Sequence, residues 1–359
     1  MEQVLQEFKH RIAAASGERP LRIAGGGSKD WYGGDLRGDL LDTRAYRGIV
    51  AYDPTELVIT VRSGTPLAEV EAVLADKNQM LAFEPPHFGA GATVGGMVAA
   101  GLSGPRRATV GALRDFVLGV VLMNYRGEVL HFGGQVMKNV AGYDVSRVLA
   151  GSMGTLGLLL EVSLKVLPRP FEETTLRFDM DQASALRALN QWGGQPLPIS
   201  ASAWLDGVLA VRLSGASAAL KGARTRLGGE EVSDAGDFWH SLREQTHPFF
   251  TSAPQASNAS LWRLSLPSVA PPLDLPGSQL IEWGGAQRWL HSAAPAEAMR
   301  AAAAAAGGHA TLFRSRAAPL ARDAVFHPLT PAVAGIQRRL KQAFDPAGIF
   351  NPGRLGQDI

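Results

Sequence analysis

Cysteine is absent from the 359 residues. That excludes disulfides, cysteine-ligated zinc, an iron–sulfur cluster held by this chain, a thiol nucleophile and a cysteinyl link to a prosthetic group. The composition permits a cytoplasmic protein. An excess of charge of one sign is also lacking: 35 basic side chains face 33 acidic ones, a net charge of +2. No basic footprint for nucleic acid follows from that balance. Charged residues make up 19% of the chain, below the usual share of about 25%, which suits a protein with much buried or interface surface. Long apolar runs are missing too. The uncharged stretch Phe88 to Leu102 is broken by glycine and falls short of the roughly 20 residues of a membrane span. Glu2 and Glu7 stand where a secretory signal would be basic, and no apolar run follows them.

The common nucleotide and hydrolase signatures are missing as well. There is no G-x-x-x-x-G-K-[ST], no H-E-x-x-H and no G-x-S-x-G. Gly89 and Gly91 begin a G-x-G, but Val94 occupies the last glycine position of the dinucleotide fingerprint. The eight histidines show no ligand spacing, so no metal site is expected.

Glycine, in contrast, is abundant, with 41 residues against an average share of about 7%. The glycines cluster at 25–27, 89–104, 151–157 and 353–356. Clustered glycine marks tight bends or close approach of the main chain to a ligand. Gly25-Gly26-Gly27-Ser28-Lys29 follows an apparent strand at Leu21 to Ala24, and consecutive inward N–H groups there would form an anion nest. Ala92-Thr93-Val94-Gly95-Gly96 leads into a helix starting near Thr93, where further unpaired N–H groups are expected. Gly151-Ser152-Met153-Gly154-Thr155-Leu156-Gly157 is the third loop. Any one of these is equally a plain turn. Three in one domain favour a single large, phosphate-bearing ligand.

Val4, Leu5, Phe8 and Ile12 give an amphipathic first helix. Strands are expected at 48–52, 57–62, 116–123, 129–132 and 158–167. Thr65-Pro66 reads as the N-cap and first residue of a helix reaching Asp76. After Pro170 the character changes: strands at 176–178, 202–205, 208–213, 261–266 and 280–283 alternate with helices near 181–191, 217–227 and 295–306. Six of the seven tryptophans lie beyond residue 190. The reading divides the chain into 1–170, a second domain at 171–339, and a compact tail at 340–359.

The ordered series of segments carries a resemblance. A-G-G-G-S-K, Y-D-P-T-E-L-V-I-T-V-R-S-G-T-P-L, E-P-P, A-T-V-G-G, G-P-R-R-A-T-V-G, G-Y-D-V-S-R-V-L-A-G-S-M-G-T-L-G and D-P-A-G-I-F-N-P-G-R resemble the FAD-binding domain of the vanillyl-alcohol oxidase and p-cresol methylhydroxylase superfamily. V-M-K-N-V-A-G-Y-D, L-W-R-L-S-L-P-S, H-P-F-F and A-G-G-H-A-T make the whole chain similar to the FAD-binding subunits of bacterial glycolate oxidases. The resemblance implies an α+β fold: a two-part FAD-binding domain of the p-cresol methylhydroxylase type, closed by the C-terminal tail, plus a smaller cap domain with an antiparallel sheet. It implies FAD held non-covalently. Gly25, Gly26, Gly27, Ser28 and Lys29 would form the pyrophosphate loop. Pro85, Thr93, Gly95, Gly96, Gly104 and Gly111 would wrap the ribityl and flavin region. Gly151, Gly154 and Gly157 would follow the cofactor, with Val162 near the adenine and Asn351 and Arg354 returning to the flavin. Met153 departs from the pattern, because many relatives carry a glutamate there.

The resemblance further implies oxidation of glycolate or D-lactate to the 2-oxo acid. Electrons would pass to an iron–sulfur partner subunit, beside a catalytic flavoprotein subunit, in a cytoplasmic complex that could sit peripherally on the inner membrane. The alternative is a structural or electron-relay flavoprotein subunit without its own substrate turnover. Such an oxidation needs a cation for the carboxylate and a base for the hydroxyl proton. Arg263, mid-strand in an apolar run, is the candidate cation, or else a solvent-facing arginine. His309, after two glycines, is the candidate base, or else a surface histidine. Arg314 and Arg316 alternate with Phe313 and Ser315 as a solvated strand face would. His87, Lys138 and Tyr143 lie beside the glycine loops with packing roles equally open, and Trp283 and Trp289 read as core or interface.

Overall fold

The computed structural model describes residues 1–134, 144–252, 258–315 and 325–356. The chain divides into two units. The first comprises Met1–Leu102, Ala112–Pro168 and Pro328–Ile359, and the second Ser103–Gly111 and Arg169–His327.

The first unit opens on the helix Glu2–Ala13, whose Phe8 and Ile12 are buried. Strands β1 (Leu21–Ala24) and β2 (Asp39–Asp42) then pair in parallel. β3 (Ile49–Asp53), β4 (Val58–Arg62), β6 (Val117–Met123), β7 (Val129–Gly133) and β8 (Leu158–Lys165) form an antiparallel sheet in the order β3-β4-β8-β6-β7. The two-residue strands β5 (Gln79–Met80) and β9 (Leu167–Pro168) pair separately. β4 and β8 are buried on both faces, which explains their nearly continuous apolar sequence rather than alternation. Phe8, Ile12, Leu21, Met123, Leu158, Ile349 and Phe350 form one core cluster. Residues 328 positions apart therefore share a core, each contributing about 1.5–3 kcal/mol when fully buried.

Two expectations for this unit change. Thr65 does not cap its helix. The helix is Leu67–Ala75 with Pro66 at the N-cap position, while Thr65 Oγ1 accepts from Gly48 N–H at 2.9 Å and donates to Arg62 O at 2.7 Å. The C-terminal piece of the unit begins at Pro328, upstream of residue 340, because the helix Pro331–Phe344 belongs to it. That helix is tied in by Lys341, whose ammonium donates to Thr155 O (2.8 Å), Phe350 O (3.0 Å) and the Asp345 carboxylate (2.7 Å). Asp345 in turn accepts from the N–H groups of Ile349 and Phe350.

The second unit is built on an eight-stranded sheet. Its strands are β10 (Glu172–Asp179), β11 (Ile199–Leu205), β12 (Val208–Gly215), β13 (Glu230–Val232), β14 (Ser260–Ser265), β15 (Ser278–Glu282), β16 (Gln287–Ser292) and β17 (His309–Arg314). They pair in the order β13-β10-β12-β11-β15-β16-β14-β17, antiparallel throughout. One face is apolar. Leu176, Leu209, Val211 and Leu213 pack with Leu189 and Leu220 of the helices Gln182–Gly193 and Ser217–Leu227. Trp262, Leu264, Leu290 and Leu312 pack with Met299 and Ala303 of the helix Ala296–Ala305. Because side chains alternate along a strand, the opposite face receives Glu173, Thr175, Arg212, Trp289, Arg263, Ser265, His309 and Thr311, which is polar and aromatic.

Candidate functional site

The first unit holds a groove. It is lined by the 25–30 loop, by Thr93, Gly95 and Gly96, by Met153, Gly154 and Gly157, and by Asn351 and Arg354. Ile23, Leu36, Ala99, Ala100 and Leu159 supply apolar walls. Of the residues expected at the cofactor, Gly25, Gly26, Gly27, Ser28, Lys29, Thr93, Gly95, Gly96, Gly154, Gly157, Asn351 and Arg354 are thus brought together. Pro85, Gly151 and Val162 lie in the same unit but outside the groove lining. Val162 is fully buried in β8, between Val61 and Val120. Gly104 and Gly111 belong to the second unit, where the carbonyl of Gly104 accepts from the Trp283 indole N–H at 3.0 Å.

The glycines have a more specific reason than flexibility. A Cβ on Gly26 would lie 1.5 Å from Gly91 O, and one on Gly25 would lie 2.2 Å from Thr93 Oγ1. A Cβ on Gly34 would meet Gly353 O at 2.0 Å, and one on Gly154 would meet Asn351 Nδ2 at 2.7 Å. The segments therefore mesh main chain against main chain at Gly26 and Gly34, and main chain against the Thr93 and Asn351 side chains at Gly25 and Gly154, so that any side chain at these glycines separates them.

The hydrogen bonds show which donors are spent. The start of the helix Val94–Ala100 offers none to a ligand, contrary to expectation: Val94 N–H donates to Thr65 O, Gly95 N–H to Ser63 O and Gly96 N–H to Thr93 Oγ1. The first loop is different. Among the described residues, the N–H groups of Gly26, Gly27 and Ser28 donate to no protein acceptor. Lys29 is buried beside them, its ammonium on Ser28 Oγ at 3.3 Å and His87 O at 3.0 Å. Main-chain donors with a buried cation fit a pyrophosphate, and the apolar walls fit flat ring systems. FAD suits the groove on these grounds.

Asn351 and Arg354 act on the protein itself. Asn351 accepts from Ile23 N–H at 2.7 Å and donates to Met153 O at 2.7 Å. The Arg354 guanidinium donates to the carbonyls of Asp30, Tyr32 and Gly34. These bonds clamp β1, the first loop and the third loop around the groove. Met153 adopts φ +55° and its N–H donates to Ala99 O. His87 pairs with Glu71 at 3.0 Å. Lys138, Tyr143 and Arg316 lie outside the described residues.

The second unit brings Arg263 and His309 onto one face. Arg263 stands opposite Thr311 in the β14–β17 ladder and Ser265 opposite His309, so the two side chains project from neighbouring rows. The Arg263 guanidinium lies 5.5 Å from the Phe313 ring centroid, and Phe313 packs edge-on against Trp289 at 4.8 Å. His309 is exposed at the strand start. Surrounding protein atoms, then the charges of Arg263 and His327, hold its imidazole below the ordinary histidine range. His327, which the sequence reading did not single out, is lowered by burial and by Arg300. Both rings are neutral at pH 7. Burial pushes the Arg314 guanidinium down to about 10. Trp289 donates to the buried Glu282 carboxylate at 2.6 Å, a core role, whereas Trp283 begins a turn with φ +55° instead of ending the strand before it. Among the described residues, no group of three or more histidines, cysteines or acids gathers, and no helix is long and apolar enough to cross a membrane.

Comparison with known proteins agrees with the groove. A family model described as an FAD binding domain matches residues 6–133. The chain is 52% identical over 346 residues to glycolate oxidase subunit GlcE of Escherichia coli K12, covering 96% of this chain and 95% of that protein. It is 33% identical over 129 residues to glycolate oxidase subunit GlcD of Bacillus subtilis, 36% of this chain and 27% of that one. It is 37% identical over 123 residues to a D-lactate dehydrogenase of Anaerostipes hadrus, 34% and 25% of the two chains. The structure of an alkyldihydroxyacetonephosphate synthase superposes with a TM-score of 0.66 at 15% identity, over 98% of this chain and 74% of that one, which shows the shared fold. The α+β fold with its FAD domain of the p-cresol methylhydroxylase type, the FAD cofactor and membership of the FAD-dependent oxidoreductases follow. The chain belongs to the glycolate oxidase subunit GlcE family.

Proposed function

We propose that this chain is the FAD-bearing subunit of a glycolate oxidase that converts glycolate or D-lactate to the 2-oxo acid and passes the electrons to an iron–sulfur partner. Similarity to GlcE along nearly the whole chain carries the reading. A GlcD-type flavoprotein would be a further partner. With no cysteine in the chain, onward transfer through an iron–sulfur cluster needs another polypeptide.

FAD supplies a two-electron acceptor when bound. The N–H groups of Gly26, Gly27 and Ser28, with the Lys29 ammonium, would hold its pyrophosphate. No covalent link is expected, since the loop carries Ser28 and no histidine. Arg263 would hold the substrate carboxylate through its planar guanidinium. His309, neutral at working pH, would take the hydroxyl proton.

Anaerobic mixing of the isolated flavoprotein with glycolate or D-lactate tests the reading through bleaching of the yellow chromophore. Bleaching by the chain alone supports its own turnover. Bleaching only with partner subunits present favours a relay subunit instead, a reading to which Met153 in the groove lends weight. Replacing Arg263 by alanine should raise the KM for glycolate in the assembled oxidase, and an unchanged KM removes its role.

A further inference from the structure

We propose that the side-chain hydroxyl of Ser63 is a cofactor-binding group, which hydrogen-bonds to FAD held in the groove of the first unit. The inference rests on the placement of FAD in that groove given above.

Ser63 directly follows β4 and lines the groove. The residue is 2% exposed, and among the described residues its Oγ has no hydrogen-bond partner. Buried polar groups in folded proteins are paired as a rule, so an orphaned hydroxyl calls for a reason. The other hydroxyls of the groove lining are engaged. Ser28 Oγ accepts from the Lys29 ammonium at 3.3 Å, Thr43 Oγ1 donates to Ala24 O at 3.3 Å, and Thr93 Oγ1 accepts from Gly96 N–H at 3.3 Å. In this lining Ser63 is the exception.

The main chain holds Ser63 in place from two sides. Its N–H donates to Leu160 O at 2.8 Å, and its carbonyl accepts from Gly95 N–H at 2.7 Å. A Cβ on Gly95 would lie 2.7 Å from Ser63 Cβ, and a Cβ on the following Gly64 would lie 2.0 Å from Thr43 O. Gly95, whose N–H is spent inside the protein, thus makes room for the serine. No hydrogen bond secures the hydroxyl in its present rotamer, so a turn about χ1 toward the groove breaks none. A hydroxyl can donate or accept, and FAD offers hydroxyls, phosphate oxygens and ring nitrogens as partners. The cofactor would therefore supply the bond that the fold withholds. Removing the hydroxyl then has opposite consequences: it relieves the empty protein and weakens the loaded one.

The test uses the full chain stripped of flavin. FAD is titrated by quenching of its fluorescence, and the thermal midpoint of the flavin-free chain is measured beside it. Ser63→Ala should bind FAD more weakly by about three- to tenfold, with a flavin-free midpoint equal to or above the parent's. Ser163→Ala is the structural counterpart, because Ser163 Oγ is bonded to Thr60 Oγ1 at 2.9 Å within the core. It should lower the midpoint and leave FAD affinity unchanged. ADP, used as a competitor, locates the contact. Weaker ADP binding in Ser63→Ala places it on the ADP half, and unchanged ADP binding with weaker FAD places it on the flavin half; either supports the proposal. FAD affinity within about twofold of the parent overturns it. A lowered flavin-free midpoint in Ser63→Ala also overturns it, since the hydroxyl is then structural. Lys29→Met separates the two readings. If it weakens FAD while Ser63→Ala does not, only the role of Ser63 falls. If neither weakens FAD, the placement of FAD in this groove falls, and this proposal with it.

Discussion

The two units build their sites from different materials. In the first, the groove is made by main chain: bare N–H groups at 26–28, carbonyls clamped by Arg354, and glycine contacts that no side chain could replace. In the second, the polar sheet face is made by side chains, with Arg263 and His309 on neighbouring rows and Phe313 beneath the guanidinium. A site of main chain is fixed by backbone geometry and tolerates almost no addition. A site of side chains is carried by a sheet whose apolar face is elsewhere, so single residues can change while the scaffold stands.

That contrast can be broken or sharpened by substitution. The largest effect is expected at the clamp of the first unit. Asp345→Asn leaves the buried Lys341 ammonium without its counter-charge, at a cost of about 3–5 kcal/mol, read as a fall in the denaturant midpoint with loss of bound FAD. Gly26→Ala follows, because its Cβ would lie 1.5 Å from Gly91 O. About 3 kcal/mol or more is expected, together with loss of visible flavin absorbance. Arg263→Ala should keep both stability and flavin content within about 1 kcal/mol and a few per cent of the parent, and a colourless Arg263→Ala protein would undo the contrast.

Acid should act on the second unit. The His309 and His327 rings are lowered from 6.5 in the fold, so the unfolded chain binds more protons as pH falls. Stability is then fully present above 6.5 and is lost as pH falls through the folded values. Replacing both histidines by glutamine should flatten the slope of a thermal-midpoint titration between about pH 6.5 and 5. The smallest effect is expected at Phe171, whose side chain is 87% exposed. Phe171→Ser should shift stability by no more than about 0.5 kcal/mol, and a larger loss would reveal a partner contact at that ring.

The same difference explains what the sequence made legible. Gly25 to Lys29, Gly154 and Gly157 announce a main-chain site because few other residues meet that geometry. The spending of N–H groups at Val94 and Gly95 was not legible, since their acceptors, the carbonyls of Thr65 and Ser63, lie about thirty residues away just beyond a strand end. β16, Gln287–Ser292, shows no alternation yet is buried at every position, because its polar groups find internal partners: Gln287 and Trp289 on Glu282, and Arg288 on the carbonyls of Ala270 and Pro271. The helix Pro331–Phe344 hid for the opposite reason. Val333 and Ile336 point outward, and the side chain it buries most is Lys341. His327 lies in a stretch without periodicity, and only the structure brings it beside a strand eighteen positions earlier.

The clamp at Asn351 and Arg354 also sets an order of events in biogenesis. Domains tend to mature in the order of their synthesis, yet the floor of this groove is encoded after the whole of the second unit. A nascent chain that has emerged as far as residue 170 has its phosphate loop but neither Asn351, which ties β1 to Met153, nor Arg354, which ties down the carbonyls of Asp30, Tyr32 and Gly34. The complete lining of the groove therefore requires residues encoded as late as Arg354.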